Sequence, residues 1–341
     1  MNTLLVNRKI FKWISICILS LVFLLVLTGF MYEQLARYTI EIKFPVRGRL
    51  VEVDGHKLNI RSHGNGKPIV VFESGLDIGG SLVWNKVQPE VAKFATAVSY
   101  DRSGVLWSER GQNPKTCHAM AEELYQLLKN SGHKGPYILV GHSMAGYMLR
   151  SFVKNHPTEV AAIVFVDVSH PDQLNRFPKE IRRMMATPPE WITDLKSSIG
   201  ITRWLALPER YPATLENDSI NLITNAYMPR SIPVVMEELA NFENMSVEAG
   251  KIDSFGSTPL IVITGTGEQR MSEFTNMKVG TEFIKSWMRM QTELLSLSSN
   301  SKQILADKSG HYVQLEQPEL VIKVIRNVVA QSKATKNDSD D

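Results

Sequence analysis

The apolar run Tyr137–Val140 ends in Gly141-His142-Ser143-Met144-Ala145-Gly146, and a stretch with helical spacing follows at once. No other segment restricts the fold so tightly. A strand that turns directly into a helix leaves room at the bend only for small side chains, and here they stand two positions either side of Ser143. Two physical readings follow. The bend presents a serine hydroxyl above a helix N-terminus, where backbone N–H groups and the positive dipole end favour developing negative charge. Alternatively, the small residues simply let a helix pack closely on a sheet.

The segments around this bend point to a sheet. Around Asp54-Gly55, "RLVEVDGHKLNIRSHG" alternates apolar and polar residues, a hairpin signal. "PIVVFESG", "ATAVSYDRSG", "PYILVG", "VAAIVFVDVS", "TPLIVITG" and "KQILAD" read as further strands. Between them lie helical patterns, among them "HAMAEELYQLLKNSG" with a C-capping Gly132, "MAGYMLRSFVKNHP" stopped before Pro157, and a last helix opening at Pro318. Continuous apolar strands alternating with helices predict an α/β fold, with a mainly parallel sheet covered by helices on both faces. Between His170 and Ser257 the alternation breaks into proline-punctuated helical pieces, too long for a plain connection, so a mostly helical cap is expected at 171–257.

Residues 13–32, "WISICILSLVFLLVLTGFMY", carry no charge. Twenty residues at about 1.5 Å each cross a hydrocarbon core of about 30 Å. Arg8, Lys9 and Lys12 precede the run, which predicts a cytoplasmic N-terminus (1–12) and a single-pass anchor with the remainder extracytoplasmic. The alternative is a secreted protein after signal-peptide cleavage, against which stand the length of the run and the lack of a small-x-small site. Residues 33–48 read as a linker and 333–341 as a disordered polar tail. The core is then 49–170 and 258–332.

Composition excludes several classes. The net charge of +3 gives no basic face for nucleic acid. The eight histidines form no metal-ligand cluster with the cysteines, so neither a metal nor a cofactor is expected. Cys17 sits in the apolar run, which leaves Cys117 alone and excludes an intradomain disulfide.

"PIVVFESGL", "SYDRSGVLWSER", "VGHSMAG", "VFVDVSHPDQ" and "SGHYVQLEQPELV", in that order, resemble the α/β-hydrolase fold of serine esterases and lipases over Arg49 to Ser332. The elbow has Ala145 where glycine is usual. The resemblance implies Ser143 as nucleophile and His311, just after the last strand, as its base. The acid stays open. Asp167 follows "AIVFV" twenty-four residues after the serine, and Glu268 follows the next strand, the commoner position, where aspartate is usual. The reading leans to Asp167, with Asp172 and Asp307 remote. Met144 and Leu76 are implied as oxyanion N–H donors, although Ser74-Gly75 replaces the usual His-Gly. Asp101 and Arg102 read as a structural pair. Trp191, Trp204, Tyr211, Tyr227 and Met228 are candidates for the pocket lining or for ordinary cap packing.

The leading expectation is an enzyme that hydrolyses carboxylic esters, lipid-like or acyl substrates among them, through an acyl-enzyme, with a small-molecule ester and the membrane as its partners. Relatives that open epoxides or remove halide use an aspartate at the elbow, and here it is serine. The competing expectation is a non-catalytic small-molecule receptor or signalling protein on the same fold.

Overall fold

The computed structural model describes residues 2–208, 210–214 and 218–340. Eight strands form one sheet in the order β1-β2-β4-β3-β5-β6-β7-β8. β1 (Arg49–Val53) and β2 (His56–His63) are antiparallel, joined at Asp54 and Gly55, both with positive φ. That conformation is what a two-residue hairpin turn with the right twist requires. β2 pairs antiparallel with β4 (Thr96–Tyr100). From β4 onward all pairings are parallel, through β3 (Ile69–Glu73), β5 (Tyr137–His142), β6 (Val160–Val166), β7 (Leu260–Gly265) and β8 (Ser301–Ala306).

Both faces of the central strands are buried, which is why they read as unbroken apolar runs. Side chains alternate between two cores. Val70, Phe72, Val140 and Val164 face the core that holds Trp84 and the final helix (Val321, Ile325). Val71, Leu139, Ile163 and Phe165 face the other, with Leu124, Leu149 and Phe152. The parallel register carries the C-terminal ends of β3, β5, β6 and β7 to one edge. Side chains there converge without further contrivance.

Between β6 and β7 the described residues are mostly helical: Gln173–Arg176, Lys179–Met184, Glu190–Ser198, Ile201–Leu205, Ser219–Ala240 and Phe242–Gly250. The sequence suggested pieces broken by proline, but Ser219–Ala240 runs through Pro229 and Pro233 without ending. Each proline costs about 3 kcal/mol in a helix interior. Twelve buried side chains along this helix, both prolines among them, offset that cost.

Two further expectations are corrected. The N-terminal helix spans Asn2–Lys43, through most of the presumed linker 33–48. The segment Glu33–Lys43 has no helix breaker and is reinforced by the Glu33–Arg37 ion pair at 2.9 Å, four residues apart, until Pro45 stops the helix. At the other end, the helix Pro318–Asp340 continues through the tail expected to be disordered. Extending a formed helix costs far less than nucleating one, and no glycine or proline intervenes. Asp341 lies outside the described residues.

Candidate active site

Ser143 stands between β5 and the helix Ala145–Asn155, with φ of +55°. A non-glycine residue in the left-handed region costs energy, and such strain persists only where the surroundings enforce it. The small neighbours are enforced too. A Cβ on Gly141 would fall 2.5 Å from Leu149 Cδ1, and one on Gly146 2.8 Å from Val168 Cβ. Close packing and exposure of the hydroxyl are therefore two consequences of one bend.

His311 lies in the loop between β8 and the final helix. Its Nδ1 donates to Asp167 Oδ2 at 2.7 Å, and its Nε2 accepts from Ser143 Oγ at 2.9 Å. The imidazole is 22% exposed and Asp167 is fully buried, so a small molecule reaches the ring and not the carboxylate. Glu268 makes no contact with His311 among the described residues. It is exposed, at the start of the short helix Gln269–Ser272. Asp172 is bound to Arg176 at 2.6 Å, and Asp307 is exposed.

Asp167 itself has φ of +49°, and its carboxylate is held on several sides. Trp287 Nε1 donates to Oδ1 at 2.9 Å, Gly265 N donates to Oδ1 at 3.1 Å, and Arg270 Nη1 lies 3.2 Å from Oδ2. Burial pulls this carboxyl's pKa up, but Arg270, His311 and Trp287 together outweigh it and hold it below the ordinary value. Arg270 and Trp287 were not singled out from sequence. Arg270 sits in the short helix Gln269–Ser272 just past Glu268, and a cation after the seventh strand was the only available signal.

The sign of this effect is testable. A carboxyl depressed by folding adds stability above the ordinary carboxylate range and loses it as pH falls through its folded value. In Arg270→Leu the largest opposing charge is gone, and only His311 and Trp287 are left to set against burial. Urea midpoints measured between about pH 7 and about pH 4 should begin to fall at a higher pH in the variant than in the wild type.

Behind the serine, the loop after β3 is drawn tight. A Cβ on Gly75 would lie 2.6 Å from Ser143 Cβ, so Gly75 abuts the serine and Leu76 is the next residue along. Arg102 Nη2 donates to Gly75 O at 2.6 Å and Nη1 donates to Ser74 O at 2.7 Å. In a trans peptide the N–H points opposite to its C=O, so this grip turns the Leu76 N–H away from Arg102. Neither Leu76 N nor Met144 N has an acceptor among the described residues. Asp101 and Arg102 are not a pair, which corrects the expectation. Asp101 accepts from Asn59 Nδ2 and Ser81 N, each at 2.8 Å, whereas Arg102 pairs with Glu73 and Glu238 at 3.0 and 2.9 Å. These buried partners compensate the desolvated guanidinium. Gly75→Ala should cost about 1–3 kcal/mol in urea unfolding, because the backbone or Ser143 must shift to admit the methyl group.

His142 does more than border the serine. Its Nε2 donates to His311 O at 3.0 Å, and its ring packs 4.5 Å from that of His311. Burial, and then the nearby His311, push its pKa well below the usual value, so it is neutral. Asp77, also unforeseen, accepts from Tyr211 and from Tyr312 (2.7 Å), tying the cap to the His311 loop. Tyr211 and Met228 line a cavity of about 230 Å³ with Leu76 and Tyr312. Tyr227 instead packs on Trp107 and donates to Phe44 O at 3.0 Å, while Trp191 and Trp204 are exposed. Cys117 is buried, with burial raising its thiol pKa.

Residues 67–318 match the alpha/beta hydrolase fold family. This chain belongs to the α/β-hydrolase family. The hydrolase is 23% identical over 326 residues to the uncharacterized protein YbdG of Bacillus subtilis, covering 93% of this chain and 96% of that one. It is 26% identical over 195 residues to methylesterase 3 of Arabidopsis thaliana, covering 54% and 72%. Among solved structures, the epoxide hydrolase CorEH superposes on it with a TM-score of 0.60 at 18% identity, covering 83% of this hydrolase and 98% of that chain.

Proposed function

We propose that this α/β-hydrolase cleaves carboxylic esters through an acyl-enzyme. The reading rests on one observation, the unbroken chain from Asp167 through His311 to Ser143 at 2.7 and 2.9 Å. Ser143 Oγ attacks the ester carbonyl as His311 Nε2 takes its proton. Asp167 stabilises the imidazolium and holds Nδ1 protonated. The carbonyl oxygen becomes an oxyanion facing the N–H groups of Leu76 and Met144. On collapse the C–O bond to the alcohol breaks, and His311 returns the proton to the leaving oxygen. Water then attacks the acyl-serine with the same base, releasing the acid and restoring the hydroxyl. A cleft lined by Gln269, Glu273 and His311 opens on the ring and gives that water a route in.

The serine at the elbow argues against epoxide opening, in which an aspartate would be the nucleophile, whatever the likeness to CorEH. The similarity to methylesterase 3 points the same way. Wild-type protein should hydrolyse p-nitrophenyl acetate and butyrate with saturation kinetics, and a fluorophosphonate should stop it. Tight binding of such esters without release of p-nitrophenol would overturn the proposal in favour of a receptor.

The same reading places the enzyme on a membrane through its N-terminal helix, with the N-terminus cytoplasmic and the catalytic part outside. Ile10–Lys43 contains a stretch long and apolar enough to cross a bilayer, with a mean hydropathy of 2.7. A cleaved signal peptide would have no reason to fit the mature protein. Here Gly29 lies against Ile199, and fully buried Glu33 pairs with Arg203 at 2.8 and 2.9 Å.

A further inference from the structure

The cap carries an apolar face that the ester chemistry does not explain. Trp204, Leu205 and Leu207 are 84%, 71% and 87% exposed on one short segment. Isolated exposed apolar residues are ordinary, but a cluster of this kind marks a contact surface.

Its position says what covers it. Trp204 and Ile201 form one wall of an apolar groove of about 530 Å³, and Leu25, Val26, Gly29 and Tyr32 of the N-terminal helix form the other. The inner part of that helix, from Ile10 to Leu27, exposes its large apolar side chains all round. The groove is therefore continuous with a surface that lipid surrounds. The Glu33–Arg203 pair fixes the depth, with Arg37 and Arg230 beside it on the outward side. Charge begins at Glu33, so the headgroup level lies there. From Tyr32 back to Leu25 is seven residues, or about 10 Å at 1.5 Å each, and Trp204 stands within that depth. Interfacial apolar faces insert to about 5–10 Å.

The segment that walls the groove also reaches a second cavity. The residues after Leu205, Ala206 and Leu207, line the cavity that holds Leu76 and Tyr312, next to Ser143 and His311. An acyl chain lying along Trp204 and Leu207 would carry an ester toward the serine without crossing water.

We infer that the Trp204–Leu207 face of the cap is seated in the bilayer leaflet next to the anchor, and that the groove takes an acyl chain of a bilayer-resident ester, delivering it to Ser143. The second half rests on the esterase reading above. The test uses the full chain in phosphatidylcholine liposomes doped with a phospholipid bearing a diazirine in its acyl chain. After irradiation and peptide mapping, adducts are expected within 199–207 as well as on the N-terminal helix. Adducts on the helix alone would overturn the inference. In the same liposomes, Trp204→Asp/Leu207→Asp should lower the ratio of long-chain to acetyl ester hydrolysis by at least about tenfold. An equal loss on both esters would overturn the delivery route. Label within 199–207 in a wild-type protein that hydrolyses neither ester would sink the esterase reading and leave the lipid contact standing. Hydrolysis of both esters with no label there would do the reverse.

Discussion

Replacing Ser143 with alanine is expected to lower ester hydrolysis by about 10⁴–10⁶-fold in kcat with little change in stability. The size follows from the mechanism. Without Oγ there is no acyl-enzyme, and His311 has nothing to deprotonate except water. What survives is rate enhancement by binding and by the two N–H donors. Stability should hold because the bend is shaped by Gly141 and Gly146 packing on Leu149 and Val168, not by the hydroxyl. Alanine is also small enough to stand beside Gly75. The strain at φ of +55° remains for either residue. Kinetics with p-nitrophenyl butyrate and urea unfolding of the same preparation check both halves. Loss of activity together with the fold would leave Ser143 without a chemical role.

The second large effect separates the two carboxylates. Asp167→Asn should reduce kcat by about 10⁴-fold, whereas Glu268→Gln should stay within about twofold, as an exposed surface change does. An asparagine amide at 167 would present its NH₂ to His311 and favour the tautomer with Nδ1 unprotonated. Nε2 would then carry hydrogen and could no longer accept from Ser143. The loss should be more severe because Arg270, 3.2 Å from Oδ2, would face a neutral group in a buried site. Comparable losses from both variants would contradict the assignment of Asp167.

Local chemistry was readable from the chain. The Asp54-Gly55 turn, the apolar strands and the serine bend all depend on residues a few positions apart, and their spacing carries the information. The partner of His311 was not readable in that way. Asp167 and Glu268 follow neighbouring parallel strands, and only the register of β6 on β7, with Val166 opposite Ile263, decides which carboxylate is aimed at the ring. Arg102 was misjudged for the same reason. Its neighbour in sequence, Asp101, faces Asn59, while its true partners Glu73 and Glu238 lie 29 and 136 residues away, the second on a cap helix. The uninterrupted helix through Pro229 and Pro233 is a tertiary override of a local rule. The length of the N-terminal helix was missed because a charged, partly apolar segment after a membrane span resembles a linker until Arg203 is found beside Glu33.

The central claim is that Ser143 Oγ is the one activated nucleophile, made so by His311. Intact-mass analysis of the protein after a short exposure to a fluorophosphonate, followed by peptide mapping, tests it most directly. The account predicts a single phosphonyl adduct on Ser143, formed rapidly in the wild type and absent in His311→Ala. No adduct, an adduct on another residue, or undiminished labelling of Ser143 in His311→Ala would contradict it.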